Sequence, residues 1–331
     1  MRQNPNPNRR EFLHSCLASA VIAGGTHPLA PFFSPKEKSK VVIARDQLLR
    51  GAGSNPESDR LVKMLDRSMQ ALYAADTPLD AWKRVVRPGE VIGLKVNTLA
   101  GRGISTSVLL VEAICERLRE AGIQEKDIVV WDRLNTDLES AGFRPTSRQG
   151  RIRYFGNDTL GYEDDLSIYG SVGSRLSKTL TQACDAVINL PALKDHSIAG
   201  VTIALKNLFG AIHNPNKYHL SVGDPYVADV HMLPPIRQKL RLHICDALTA
   251  QYEGGPSFMP QWTWPFNGLM VSLDPVAMDY VGWQIIEQKR TEKGMKSLQA
   301  LGRVPNYIST AADVQHQLGT NDPRHIQQVE V

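Results

Sequence analysis

The chain has 331 residues, 42% hydrophobic and 22% charged, an ordinary globular composition that excludes disordered, collagenous and repetitive proteins. Its 38 Lys and Arg against 34 Asp and Glu leave a net charge of +4, and the basic residues are scattered, which argues against nucleic acid as a partner. Its one notable apolar run is shorter than the about 20 residues of a membrane-spanning helix, so we expect no stable membrane insertion.

Residues 1–30 are predicted to be an export signal. The pair Arg9-Arg10 stands before Phe12, and a short apolar stretch over residues 16–25 follows. This order resembles a twin-arginine signal, and the resemblance implies contact with the Tat translocase during export and a periplasmic or otherwise exported protein. The alternative is a basic N-terminus with no targeting role. Because the twin-arginine route carries folded proteins, the signal also points weakly to a bound cofactor.

From residue 40 onward, short β-branched runs alternate with longer segments of helical period, the pattern of an α/β protein. Strands are predicted over residues 41–44, 91–96, 128–131, 186–190, 240–245 and 268–273. Helices are predicted over residues 58–72, 107–121, 176–184, 201–209 and 275–288. We therefore expect an open, largely parallel, doubly wound sheet with helices on both faces. The main domain is predicted over residues 40–290, with a C-terminal extension over 291–331.

Polar residues follow several predicted strands at the point where each strand ends. They are Asn97, Asp132, Lys194 with His196, Asp246 and Asp274. In open parallel sheets, ligands bind outside the carboxyl ends of the strands, where loops and helix N-termini converge. A sheet built only for stability has no need to gather charged groups along one edge, because their desolvation and mutual repulsion cost free energy. The pattern predicts a ligand or metal site at this edge.

Three residues are the catalytic candidates. Lys194 and His196 stand two apart on a predicted loop, where they could supply a cation and a general base to one pocket. A solvated loop is the alternative. Lys206 lies near the C-terminal end of the predicted helix over 201–209, where it could bind a carboxylate or phosphate group. It could instead simply complement the helix macrodipole.

Further residues are candidates for binding a substrate or a metal. The substrate-binding candidates are Asn97, Asn189, Asn207, Trp262 and Trp264, although the two tryptophans could instead belong to the core at the sheet edge. Imidazole and carboxylate groups suit a divalent cation, and the candidate metal ligands are His213, His219, Asp246 and Asp274. Asp274 is also the expected N-cap of the helix that begins at Pro275.

Several ordered motifs resemble one known family. They are INLPALKDH at 188–196, VTIALKNLFG at 201–210, ICDA at 244–247, GGP at 254–256 and DPVAMD at 274–279. Together they resemble the family known as domain of unknown function 362, from about residue 91 to 286. The resemblance implies an α/β domain, sometimes fused to iron–sulfur ferredoxin modules, with no settled general activity. The four cysteines stand far apart without a C-x-x-C pair, so we expect no iron–sulfur cluster in this chain.

Motifs for dinucleotide binding, for a phosphate-binding Walker loop and for a serine nucleophile are missing from the sequence, so the corresponding nucleotide-binding and serine-hydrolase functions have no support in it.

From the polar residues at the strand ends and the predicted signal, we expect an exported enzyme that acts on a small anionic or hydroxylated organic molecule, assisted by a bound metal or redox cofactor. In this hypothesis a lysine holds the anionic group and His196 transfers a proton. The alternatives are a non-catalytic periplasmic binding or cofactor-carrier protein, and an electron-transfer subunit with its cluster on a partner chain.

Overall fold

The computed structural model describes residues 38–148 and 150–331, and the predicted export signal lies outside them. The strands are β1 (Ser39–Arg45), β2 (Ile92–Lys95), β3 (Ile128–Asp132), β4 (Arg153–Gly156), β5 (Ser167–Tyr169), β6 (Val172–Ser174), β7 (Ala186–Asn189), β8 (Ala192–His196), β9 (Gly200–Thr202), β10 (Leu240–Gln251), β11 (Thr263–Trp264), β12 (Gly268–Ser272) and β13 (Ile326–Glu330). The α-helices are α1 (Ser58–Tyr73), α2 (Pro78–Val85), α3 (Val108–Glu120), α4 (Asn135–Ala141), α5 (Asn157–Leu160), α6 (Lys178–Thr181), α7 (Ala204–Asn207), α8 (Tyr226–Met232), α9 (Pro234–Lys239), α10 (Pro275–Glu292) and α11 (Tyr307–Ala311). None of these helices is both long enough and apolar enough to cross a membrane.

In this part of the chain, one sheet of eleven strands has the main order β13-β1-β12-β10-β7-β2-β3-β4. The strands from β10 through β7, β2 and β3 to β4 run parallel, and so do β13 and β1. Only β12 in this order runs antiparallel to its neighbours, β1 and β10. The predicted α/β fold with a largely parallel sheet is confirmed.

Hydrophobic cores lie on both faces of the sheet, because alternate side chains of a strand point to opposite sides. In β3, for example, Val130 belongs to the core with helices α1, α2 and α3, whereas Trp131 belongs to the core with α8, α10 and α11. The central strands are buried on both faces, which explains their continuous apolar sequences. All six predicted strands are present, and β10 continues six residues beyond its predicted end at 245.

The segment after β7 forms a hairpin that the sequence analysis did not predict. After Pro191 the chain continues as β8, which pairs in parallel with β10 beyond the end of β7, and β9 folds back against β8. Lys194 and His196 therefore lie in a strand, and the predicted loop there is wrong. Their separation of two residues places them on the same face of β8, with Asp195 on the opposite face.

The helix predicted over 201–209 is also wrong over most of its length. Residues Gly200–Thr202 belong to β9, α7 covers only Ala204–Asn207, and a 3₁₀ turn follows at Leu208–Ala211. The segment is buried on nearly every side, so its apolar residues carry no clear period of 3.6. Its one helical turn is held from outside, because Asp279 Oδ1 on α10 accepts hydrogen bonds from the N–H groups of Ala204 (2.6 Å) and Leu205 (3.3 Å).

Two smaller differences concern the predicted helix over 176–184 and the C-terminal residues. The helix expected over 176–184 is the single turn α6, which starts after the N-cap Ser177. The C-terminal residues return to the sheet as β13, whose Ile326 is buried while Gln327 and Gln328 are exposed. An edge strand with so few inward residues gives only a weak alternating signal, and the sequence analysis missed it.

The cap on α7 can be tested by replacing Asp279 with alanine. The change leaves two buried N–H groups without acceptors, and each such group costs about 1–3 kcal/mol. We expect urea unfolding to show a loss of stability in this range or above for Asp279→Ala. The matched control is Asp59→Ala on the exposed surface of α1, which we expect to stay close to the wild-type stability. Equal stability of the two variants would contradict a capping role for Asp279.

Candidate functional site

A pocket of about 340 Å³ opens at the carboxyl edge of the sheet. Its polar lining includes Lys95, Asn97, Asp132, Lys194, His196, Lys206, Asn207 and His219. Lys95 and Asp132 end β2 and β3, Lys194 and His196 come from β8, and Lys206 comes from α7. The three predicted catalytic residues thus share one pocket.

The floor of the pocket contains a buried ion pair between neighbouring parallel strands. Lys95 Nζ lies 2.7 Å from Asp132 Oδ1 and also donates to the carbonyl of Val96 at 2.7 Å. The second carboxylate oxygen of Asp132 accepts from the backbone N–H and the hydroxyl of Thr98. Burial lowers the pKa of Lys95, and the charge of Asp132 opposes this effect. The hydrogen bonds of Lys95 and Asp132 are thus made largely within the protein. This ion pair joins the ends of β2 and β3.

The Lys95–Asp132 ion pair lies directly against the backbone of Gly210. A Cβ atom at Gly210 would lie 2.7 Å from Lys95 Nζ and 2.8 Å from Asp132 Oδ1. Glycine at this position therefore lets the backbone after α7 approach the ion pair closely.

A chain of side-chain amides connects this floor to Lys194. Asn189 Oδ1 accepts from Asn207 Nδ2 at 2.7 Å, and Asn207 Oδ1 accepts from Asn97 Nδ2 at 3.0 Å. Asn97 Oδ1 then accepts from Lys194 Nζ at 2.8 Å. All four groups are buried, and a satisfied network of this kind fixes the direction of each member. Asn97 and Asn207 line the pocket, whereas Asn189 supports them from below.

A second contact to Lys194 comes from the loop with the Gly-Gly-Pro motif. The carbonyl of Pro256 lies 3.4 Å from Lys194 Nζ. The loop approaches β8 so closely that a Cβ atom at Gly255 would lie 2.0 Å from the carbonyl oxygen of Asp195. The N–H of Gly255 also donates to Asp195 Oδ1 at 2.9 Å. The motif thus fastens this loop to the back of the strand that carries Lys194.

The hydrogen bonds of His196 define its tautomer. Its Nδ1 accepts from the backbone N–H groups of Ile198 and Ala199, both at 3.1 Å. A neutral imidazole with Nδ1 as acceptor carries its proton on Nε2. Burial, together with the nearby Lys206 and His219, lowers the pKa of His196 to about 2. This geometry favours a hydrogen-bond donor at Nε2 over the general base expected from the sequence.

Lys206 has a different kind of partner. Its Nζ lies 2.8 Å from His219 Nε2, while His219 Nδ1 lies near the carbonyls of Pro215 (3.2 Å) and Asn216 (3.3 Å). These carbonyls accept, so Nδ1 of His219 carries the proton and Nε2 accepts from Lys206. The ring of His219 is half-buried and stacks on His196 at 5.4 Å.

The pocket holds more positive than negative charge at short range. Within the described residues, Lys95 has an ion pair with a carboxylate, but Lys194 and Lys206 have none. Burial lowers the pKa of Lys194 to about 8. Burial and the charge of Lys194 lower the pKa of Lys206 to about 7. An anionic ligand would supply the charge that the chain itself does not provide here.

The other predicted substrate-binding residues lie outside the pocket lining. Trp264 pairs with Ala250 of β10, and its ring packs near Tyr252 and Phe266. Trp262 is half-buried beside Gly254. The structure thus separates the two tryptophans from the three catalytic candidates.

The four predicted metal ligands are not brought together. Asp246 accepts from the N–H groups of Ser107 and Leu248, and Asp274 caps α10 as expected. The ring of His213 packs against Tyr162, and both nitrogens of His219 are engaged as described above. Among residues 38–148 and 150–331, no three His, Cys, Asp or Glu side chains form a group that could hold a metal ion. A metal role for these four residues stays a prediction, and this arrangement lends it no support.

Lys95 is the site residue that the sequence analysis missed. It lies inside a run of apolar residues over 91–96 that the sequence predicts as a strand, and the structure shows that this strand is buried. A lysine in a strand buried on both faces needs a partner, because an unpaired buried charge costs several kcal/mol. That requirement was the signal for it, and Asp132 at the end of the neighbouring strand was the natural candidate.

Comparisons with known proteins find a matching family, a similar protein and a similar solved structure. The family described as "Domain of unknown function (DUF362)" matches residues 92–284. A protein from Synechocystis sp. named "Thylakoid-associated protein" is 28% identical over 250 residues, covering 72% of this chain and 76% of that protein. A crystal structure of a protein from Thermotoga maritima shares 9% identity with a TM-score of 0.45. That match covers 73% of this chain and only 60% of the other.

The buried ion pair leads to a clear expectation for Asp132→Asn. Among the residues that the structure describes, the change removes the one negative charge in contact with Lys95. It also places a neutral amide against Lys95 and the Thr98 N–H, whose positions suit a carboxylate. Breaking a buried pair by removing one partner costs about 3–5 kcal/mol. We expect denaturant unfolding to show a loss of this size.

The control is Asp137→Asn, which also lies at the pocket but is half-buried and only 3.5 Å from Arg133. We expect a loss of at most about 1 kcal/mol for it. Similar values for the two variants would contradict a structural role for the Lys95–Asp132 pair.

Proposed function

Because the chain belongs to the family described as "Domain of unknown function (DUF362)", which is assigned no reaction, we propose its activity from the pocket itself. The protein is an enzyme that binds a small organic anion between Lys194 and Lys206 and moves a proton at that molecule. The observation that carries this proposal is the pair of buried lysines in one pocket, neither of which contacts a carboxylate within residues 38–148 and 150–331.

The charge balance supports an anionic ligand. A buried ammonium group without a counter-charge is costly, and the two lysines also repel each other. A carboxylate or phosphate group between them removes both costs and accepts charge-assisted hydrogen bonds. Neutral donors lie beside them, namely the Nε2–H of His196 and the amide of Asn97. The pocket is therefore suited to a ligand with one anionic group and at least one further oxygen.

The state of Lys206 supports catalysis in addition to binding. Its pKa of about 7 means that the amine and the ammonium are both populated near neutral pH. A group whose pKa lies near the working pH is the most effective general acid or base. The contact from Lys206 Nζ to His219 Nε2 gives the lysine a half-buried ring nitrogen that can take up a proton from it.

Anion binding is tested by thermal unfolding with added oxalate, pyruvate or phosphate. A ligand that binds only the folded state raises the midpoint by mass action. Hydrogen bonds to charged groups contribute about 1.5–3 kcal/mol, so losing one weakens binding about tenfold or more. We expect the shift to be largely lost in Lys194→Met and Lys206→Met and kept in Lys217→Met, which changes an exposed lysine.

The shift also has a defined pH dependence. Lys206 loses its charge as the pH rises through about 7, and Lys194 loses its charge as the pH rises through about 8. The affinity for the anion therefore falls as the pH rises from about 6 to about 9. The same shift in all four proteins, or a shift that grows with pH, would overturn the proposed anion site.

We further propose that residues 1–30 direct export of the folded protein by the twin-arginine route. The support is the order of Arg9-Arg10, Phe12 and the short apolar stretch that follows. In a bacterial host, changing Arg9 and Arg10 together to lysine is expected to abolish recovery of the protein in the periplasmic fraction. The matched control is Arg2→Lys, which leaves the pair intact. Equal export of both variants would refute the signal.

A further inference from the structure

The surroundings of Lys206 distinguish it from the other lysines of the pocket. Lys95 Nζ contacts a carboxylate, and Lys194 Nζ contacts two oxygen acceptors, Asn97 Oδ1 and the carbonyl of Pro256. The polar partner of Lys206 Nζ is an imidazole nitrogen, His219 Nε2. An ammonium group is best stabilised by oxygen acceptors and carboxylates, so the surroundings of Lys206 are the least suited to a fixed positive charge.

The burial of Lys206 also disfavours a positive charge on its side chain, whereas its contact with the Phe209 ring favours one. Its residue is 6% exposed, and its Nζ lies 4.3 Å from the centroid of the Phe209 ring. The face of this ring favours the ammonium form. Burial and the charge of the neighbouring Lys194 act in the opposite direction and lower the pKa of Lys206 to about 7. A lysine that is desolvated and close to another cation is the environment in which an amine becomes a nucleophile near neutral pH.

We propose that Lys206 forms an imine with the carbonyl carbon of a small oxo acid whose carboxylate is held by Lys194. This inference rests on the proposed function, because it requires the anion site. The two lysines then have different roles. Lys194, fixed by Asn97 and the Pro256 carbonyl, positions the ligand, and Lys206 supplies the reacting nitrogen.

The step needs no oxidant or reductant. The lone pair of the neutral Nζ forms a C–N bond, and the carbonyl π electrons move to oxygen. One N–H proton passes to that oxygen, with His219 Nε2 placed to accept and return it. The resulting carbinolamine loses its hydroxyl group together with the second N–H proton as water, which leaves the C=N bond. The imine draws electrons from the adjacent carbon, so that this carbon loses a proton more readily.

The test is reductive trapping of the full chain. The protein is incubated with pyruvate, acetoacetate, 2-oxoglutarate or phenylpyruvate and sodium cyanoborohydride, digested, and examined by peptide mass spectrometry. We expect near-stoichiometric modification at Lys206 by at least one of these acids, with at least about tenfold less at the exposed Lys217. Oxalate, which has no ketone, is expected to protect Lys206 from modification.

Variants and a parallel binding measurement separate the two proposals. Lys194→Met is expected to lower the trapping at Lys206 at least about tenfold at the same concentration of acid, because the carboxylate loses its cation. Binding of each acid to the wild-type chain is measured without reductant by isothermal titration. If an acid binds and Lys206 stays unmodified, the imine is overturned and the anion site stands. If none of the four acids binds, the imine is overturned, and the anion site fails with it when oxalate and phosphate do not bind either. If all surface lysines react equally, the special role of Lys206 is refuted.

Discussion

The site depends on the burial of three lysine side chains at one edge of the sheet. In the part of the chain that the structure describes, one carboxylate, that of Asp132, is in direct contact with them. Lys95 and Lys194 are each 1% exposed and Lys206 is 6% exposed. Charged groups in such positions are tolerated only with partners, or they shift toward the neutral form. The chain uses both solutions, a carboxylate for Lys95 and a lowered pKa for Lys206. This difference between Lys95 and Lys206 suits the pocket to take part in a reaction as well as to attract an anion by its charge.

The fold meets this constraint by bringing four short segments together, namely β2, β3, the hairpin of β8 and β9, and α7. The parallel strands β2 and β3 end side by side, with Lys95 opposite Trp131 in the register, so Asp132 follows at contact distance. The hairpin of β8 and β9 extends the sheet beyond β7, and the period of two places Lys194 and His196 together. Asp279 of the long helix α10 then fixes the turn α7 through its N–H groups. Each functional side chain is thus held by backbone contacts that lie outside the pocket.

The sequence predicts the location of the site better than the elements that build it. The rule on strand ends points to Lys194, His196 and Asn97 without any knowledge of tertiary contacts. It includes Asp246 and Asp274 as well, but their oxygens accept backbone N–H groups from residues distant in sequence, such as Ser107 and Thr320. No local pattern reveals such contacts. The hairpin was missed and the helix containing α7 was predicted too long for a similar reason, since a segment buried on all sides has neither a strand nor a helix period.

Burial and the charge of Lys194 both lower the pKa of Lys206, and the binding of an anion changes these two effects in opposite directions. A carboxylate at Lys194 neutralises the repulsion between the two lysines, which by itself would return Lys206 toward the ammonium form. Burial is the larger of the two causes, and a ligand that fills the pocket and displaces water strengthens it. The neutral amine therefore survives binding only for a ligand that also covers Lys206. An anion too small to reach from Lys194 to the Phe209 ring would bind and leave Lys206 protonated, so the length of the ligand, in addition to its charge, selects what can react.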